Sequence, residues 1–480
     1  MNDDNIEKLA SEKLDLKTKL AYGAGDLGPA ITSNIAIFFL LVFFTNVAGI
    51  PAGLAGSILM IGKIWDAVND PIVGVLTDKT KSRRWGRRLP WLLYGAIPFG
   101  AFFFLQWIVP QFSSEPSSNI WPLFWYYVAI GVMSQVFFTV VNLPYTAMTP
   151  ELSQDYDERT SLNSFRFTFS IGGSILSLIF AQIVFSQINN PQQQYLVLAA
   201  ICTVISVLSL YWCVYGTRDR IMAFEAKRIQ LEEPAEMPFI EQIKIAFSNK
   251  PFLFVIAIYL FSWLGVQITA SIIPYFVIYC MKLKNSEVPT VLIAVQFTAL
   301  LMLFVWSYLS KKLGKKIVYF LGMSLWIIAA AGLFFLQPNQ IALMYVMAVM
   351  AGCGVSTAYL IPWSMIPDVI ELDELQTGQR REGVFYGFMV LLQKVGLAFG
   401  LFLVGNALQV SGFKEAVVGQ NTLPIQPDSA LLAIRISVGP IPTICLIMGL
   451  ILTFFYPITR EMHAEIMLKL QERREKMEDR

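Results

Sequence analysis

Three ionisable residues stand in an apolar run where hydrocarbon should exclude them. Lys63, Asp66 and Asp70 interrupt the stretch from about Pro51 to Leu76. Each charge placed in a bilayer core costs roughly 2.5–3.5 kcal/mol on the mildest insertion scale, and charges retained there usually mark an ion or substrate path. In a helix the spacing i, i+3, i+7 brings all three to one face. Ile64, Trp65, Ala67 and Val68 are then left for apolar surroundings. Two carboxylates and an ammonium on one face suit a cation-binding site in a transporter. The same residues also make an ion-pair knot that ties helices together, and both readings stand at this level.

Such a face needs a bundle around it. The chain has 480 residues, of which 55% are hydrophobic and only 15% charged. Soluble domains carry about 25% charged residues, so the composition is that of a polytopic membrane protein. A span takes about 20 apolar residues. Stretches of that kind fall at roughly 22–47, 52–76, 89–110, 120–149, 162–187, 194–216, 252–280, 287–310, 316–337, 340–366, 384–410 and 429–457. The expected fold is an all-α membrane protein of twelve transmembrane helices in two six-helix halves. Residues 1–216 form the first half and 251–460 the second. Between them, 217–250 is a linker carrying a short amphipathic helix near Met237–Phe247, and 461–480 is a solvated tail. The halves echo each other: Gly74 to Arg88 follows span 2, and Ser310 to Lys316 follows span 8, both strongly basic. Duplicated halves are a hallmark of transporter folds.

Loop charge sets orientation. Lys79, Lys81, Arg83, Arg84, Arg87 and Arg88 follow span 2, and Lys311, Lys312, Lys315 and Lys316 follow span 8, whereas the opposite loops hold only Lys282, Lys284 and Lys414. Both termini are therefore expected in the cytoplasm, with the protein a multi-pass component of the cell membrane. Met1–Lys19 lacks an apolar core, so no cleavable signal peptide is expected there.

Several chemistries are disfavoured. There is no Gly-rich phosphate loop for ATP, and no nucleophile–base pair stands out. The five Cys lie in apolar runs without ligand-like spacing, and the one His, His463, sits in the polar tail. An enzyme, a metal centre of histidines and a nucleic-acid partner are not expected, nor is a cofactor beyond a coupling ion. Asp26 is a further acid inside span 1. Asp78, Arg87 and Arg88 after span 2, with Arg159, face the same side as Asp368, Glu371, Arg380, Arg381 and Glu382 near spans 10 and 11. These are candidate gate ion pairs, with ordinary loop charge and helix capping as the alternative.

The Gly74-x-x-x-Asp78-Lys79…Gly86-Arg87-Arg88 pattern resembles the signature loop of the major facilitator superfamily. Trp65-Asp66-Ala67-Val68-Asn69-Asp70-Pro71-Ile72-Val73-Gly74 resembles span 2 of its glycoside–pentoside–hexuronide:cation symporters. Tyr22-Gly23-x-Gly25, Asn142-Leu143-Pro144-Tyr145, Arg166, Pro367-Asp368, Glu382, Tyr386 and Lys394 extend the likeness from about Lys19 to Tyr456. The resemblance implies Na⁺- or H⁺-coupled symport of a sugar or glycoside by alternating access, in a monomer. It implies a cation site at Asp66, Asn69, Asp70 and Thr139, with Lys394 offsetting the carboxylates when the cation is absent. It also implies a substrate site at Arg166 and Tyr359, with Asp26, Asn142 and Lys394 as further candidate substrate residues.

The sugar-binding acids of melibiose-type members fit less well. Ala30 stands at the span-1 position, with Asp26 one turn earlier, and Asn142 at the span-4 position. An anionic sugar derivative therefore remains an alternative ligand. So does a lysolipid, since the lysophospholipid symporters share the span-2 motif. A non-transporting receptor is a third class.

Overall fold

The computed structural model describes residues 14–80, 82–113, 116–153, 156–228, 244–245, 247–377, 382–415 and 424–478. Every regular element among them is helical. In lipid only helices and closed barrels satisfy their own backbone groups, and the long apolar runs take the first option. In chain order the helices are α1 (Leu16–Asn46), α2 (Ala52–Lys79), α3 (Leu89–Leu105), α4 (Pro116–Thr146), α5 (Tyr156–Gln187) and α6 (Pro191–Arg228). They continue with α7 (Lys250–Cys280), α8 (Val288–Leu313), α9 (Lys315–Phe335), α10 (Ile341–Thr377), α11 (Glu382–Val410), α12 (Asp428–Phe455) and α13 (Arg460–Glu478).

Ten of the described helices are long and apolar enough to cross a membrane, so this is a multi-pass membrane protein. The two expected spans outside that set are α2 and α3. At 1.5 Å per residue, α2 is about 42 Å long, but its charged residues lower its apolarity. With 17 residues, α3 is at the short limit for a span.

The chain divides into two units. Unit 1 holds Met1–Pro234, Lys284–Thr290 and Leu408–Pro427; unit 2 holds Ala235–Leu283, Val291–Ala407 and Asp428–Arg480. In unit 1, α1 packs on α5 and α6, α2 on α4, and α3 on α4 and α6. In unit 2, α9 packs on α10 and α12, and α7 on α10 and α12. Apolar contact drives little association between helices in lipid, so close packing and polar contacts must supply it. Gly25 shows how. Tyr22 and Tyr145 stack at 5.0 Å, and the Tyr145 hydroxyl donates to the Tyr22 carbonyl at 2.8 Å. A Cβ on Gly25 would collide with the Tyr145 ring and approach Cys213 Sγ to 2.8 Å. Gly25→Ala is therefore expected to cost about 1–3 kcal/mol by overpacking. Thermal unfolding in detergent measures it, and pairing the change with Tyr145→Ala should recover part of the loss.

Two expectations change at the edges, and a third lies almost wholly outside the described residues. Residues 217–228 continue α6 as helix, with Thr217 Oγ1 donating to the Cys213 carbonyl at 2.7 Å, so the linker starts later than 217. Of the stretch 237–247, only Lys244, Ile245 and Phe247 fall within the described residues. The tail is not simply solvated: Ile466 and Leu470, one turn apart on α13, are 3% and 4% exposed and join the core cluster of unit 2. The basic loops match in one detail. Gly86 has φ +68° and Gly314 φ +87°, the left-handed region that side chains rarely enter.

Candidate functional site

The charged face of α2 meets α4. Asp66 and Asn69 are buried and Asp70 half-buried. Opposite them Thr139, 2% exposed, places its hydroxyl oxygen 3.0 Å from Asp66 Oδ1 and 3.0 Å from Asp70 Oδ1. A threonine hydroxyl has one proton, so it donates to one carboxylate at a time. The Asn69 amide nitrogen points at the Val136 carbonyl, 3.5 Å away, leaving its Oδ1 as a possible ligand. Lys63 donates to Gln135 Oε1 at 3.0 Å and lies 3.9 Å from Asp66 Oδ2. Lys63, Asp66 and Asp70 together carry one excess negative charge. A single bound Na⁺ or proton brings the group to neutrality, and an all-oxygen donor set suits a hard cation. Lys63 thus supplies, inside unit 1, an ammonium of the kind the family resemblance assigns to Lys394.

The candidate substrate residues fall in both units. On α1, Asp26 is 7% exposed and accepts from Arg166 Nε of α5 at 3.3 Å. The Arg166 guanidinium lies 5.8 Å from the Tyr145 ring centre and 5.7 Å from that of Phe167, within the range of cation–π attraction. Arg166 is therefore charge-balanced by Asp26, a pairing the sequence left open. Asn142 is half-buried on α4. Tyr359 on α10, half-buried, meets Trp263 edge-to-face at 5.2 Å, and Lys394 is half-buried on α11. Both belong to unit 2.

The candidate gate residues gather partners that the sequence reading missed. Beyond Gly86, Arg87 and Arg88 both bind the same oxygen of Glu151, Arg87 through Nη2 at 2.7 Å. Arg87 also lies 3.6 Å from Asp78 and 3.3 Å from Glu225, and Arg88 3.4 Å from Asp78. Glu151 is almost fully enclosed, and breaking such a pair from one side costs about 3–5 kcal/mol. An acid one residue past Thr149-Pro150 reads from sequence as a helix-start residue, which hid it. In unit 2, Lys315 reaches both Asp368 oxygens at 2.7 Å. His463 lies 3.5 Å from Asp368 and 2.7 Å from Glu371. Arg380 and Arg381 lie outside the described residues.

Comparison with known proteins follows the same lines. The MFS/sugar transport protein family model matches residues 21–460. An uncharacterised symporter of Synechocystis sp., sll1374, is 50% identical over 98% of this chain and 99% of its own length. The sodium-dependent lysophosphatidylcholine symporter 1 of Xenopus tropicalis is 27% identical over 97% of this chain and 92% of its own. Among solved structures, an inward-facing bacterial homologue of the iron transporter ferroportin superposes with a TM-score of 0.63. It has 17% identity and covers 95% of this chain and 99% of its own, a likeness of fold alone. With the family model covering nearly the whole length, and a half-identical symporter beside it, the chain belongs to the MFS/sugar transport protein family of the major facilitator superfamily.

Proposed function

We propose that this protein is a secondary active symporter of the cell membrane, with both termini in the cytoplasm. It couples the movement of one Na⁺ or proton to that of a small polar molecule. The observation that carries the reading is the single Thr139 hydroxyl held between Asp66 and Asp70, in a group with Lys63 that is one positive charge short of neutral. Cation binding at Asp66, Asn69, Asp70 and Thr139 discharges α2, which favours the movement that a residual charge in low dielectric opposes. Empty, Lys63 offsets one of the two carboxylates and limits that penalty.

The substrate reading we favour is a neutral sugar or glycoside. Asp26 and Arg166 form a balanced pair, which offers both acceptor and donor to hydroxyl groups. An anion such as a hexuronide would have to displace Asp26 first. A lysolipid is the second reading, favoured by the relative named as a lysophosphatidylcholine symporter. No catalysis is proposed, and the working unit is taken as a monomer.

The test is uptake into proteoliposomes under an imposed Na⁺ or proton gradient, with neutral glycosides, hexuronides and lysolipids as probes. Wild type and Thr139→Ser should accumulate a neutral glycoside against its gradient. Thr139→Val should keep its fold and lose the cation stimulation by roughly tenfold or more, the scale of a lost hydrogen bond to a charged group. Equal accumulation by Thr139→Val sinks the coupling role, and accumulation of lysolipids alone replaces the sugar reading.

A further inference from the structure

His463 is the chain's one histidine, and symport as described makes no use of it. It lies near the start of α13, a charged helix held on unit 2 by Ile466 and Leu470. Its Nε2 is 2.7 Å from Glu371 Oε2 and 3.5 Å from Asp368 Oδ1. Asp368 and Glu371 are three residues apart on α10, hence on one face. The three donor atoms lie within 4.8 Å of one another.

We propose that Asp368, Glu371 and His463 bind a divalent transition-metal ion of the Zn²⁺ class, which staples α13 to α10. The donor chemistry selects the class. One imidazole nitrogen with two carboxylate oxygens suits Zn²⁺ and its neighbours, whereas Ca²⁺ takes six to eight oxygens and Mg²⁺ keeps most of its waters. The spacing fits as well. Bonds of about 2.0–2.2 Å set neighbouring ligand atoms of a tetrahedron roughly 3.3–3.6 Å apart. The observed 3.5 Å already fits, and the 2.7 Å pair needs to open by less than 1 Å.

Charge and framework point the same way. With a neutral imidazole, Asp368, Glu371 and Lys315 sum to one excess negative charge. Lys315 already holds both Asp368 oxygens and also donates to the Ser364 carbonyl at 2.6 Å. Once the metal takes Oδ1, Lys315 stays on Oδ2 as an outer partner that orients the ligand, a common arrangement around metals. The apolar seat is already built: Val369 and Ile370 of α10 lie in the same core cluster as Ile466 and Leu470. Binding therefore pays little to order its ligands.

The full-length protein, stripped with EDTA in detergent, is titrated with ZnCl₂ by calorimetry while its unfolding midpoint is followed. About one Zn²⁺ per chain should bind and raise the midpoint, as any ligand of the folded state does, and MgCl₂ should leave it unmoved. His463→Ala should weaken Zn²⁺ binding by more than roughly tenfold, since even outer partners are worth that much. Because His463→Ala also loosens α13 directly, His463→Cys supplies the positive control: its thiolate should restore tight binding with Cd²⁺, a softer metal. A wild-type midpoint indifferent to Zn²⁺ overturns the site and leaves the direct His463–Glu371 contact as the tie between α13 and α10. So does Zn²⁺ affinity unchanged in His463→Ala.

Discussion

Asp70→Asn is expected to abolish cation-stimulated uptake while leaving the protein folded. The change removes one of two carboxylates around Thr139, and the remaining set of Lys63, Asp66 and an amide is already neutral. A cation then adds a charge to the group instead of cancelling one. Unpairing buried charges costs about 3–5 kcal/mol, so cation affinity should fall by at least about 10²-fold. Asp66→Asn should do the same, and more severely, since Asp66 is 2% exposed while Asp70 is half-buried. Uptake driven by Na⁺ and by proton gradients in proteoliposomes reads the effect, and thermal unfolding checks the fold. If both variants still concentrate substrate on either gradient, the neutralisation mechanism is wrong.

The charged face of α2 was legible because its cost is local. Three charges in an apolar run, spaced i, i+3, i+7, need no tertiary knowledge to be noticed. Their partner was legible only through family resemblance: Thr139 is one hydroxyl among many in apolar helices, and nothing in its own sequence surroundings aims it at α2. Helix ends were less readable, because apolarity stops at the membrane surface and helices do not. Thus α10 runs on to Thr377, and α6 to Arg228. The same bias misjudged α13. Its composition is that of a solvated helix, yet His463, Ile466 and Leu470 repeat at i, i+3, i+7, and that narrow stripe is what docks. Glu151 shows the opposite limit: two arginines and a buried carboxylate sixty-odd residues apart leave no pattern along the chain.

Arg166→Ala is expected to abolish transport, and the form of the loss tells what the Asp26–Arg166 pair does. Removing the guanidinium leaves Asp26 buried without its counter-charge, so the single variant should lose about 3–5 kcal/mol of stability as well. Its failure alone would therefore be ambiguous. The informative protein is the double variant Asp26→Ala, Arg166→Ala. With both charges gone the electrostatic debt disappears, and replacing a buried pair by apolar groups is often neutral or stabilising. Stability should return to near wild type. Transport should not, because a sugar then meets neither the carboxylate nor the guanidinium that satisfies its hydroxyls. A site that hydrogen-bonds its ligand discriminates by about 10⁴–10⁵ once those bonds are lost, so substrate-dependent thermal shifts should vanish together with uptake. Asp26→Asn separates the two candidate ligand classes further. It leaves Arg166 with a full uncompensated charge and should turn preference from neutral glycosides toward hexuronides. A double variant that still transports would make the pair a structural tie between α1 and α5, and an Asp26→Asn protein that still refuses anions would place the ligand elsewhere.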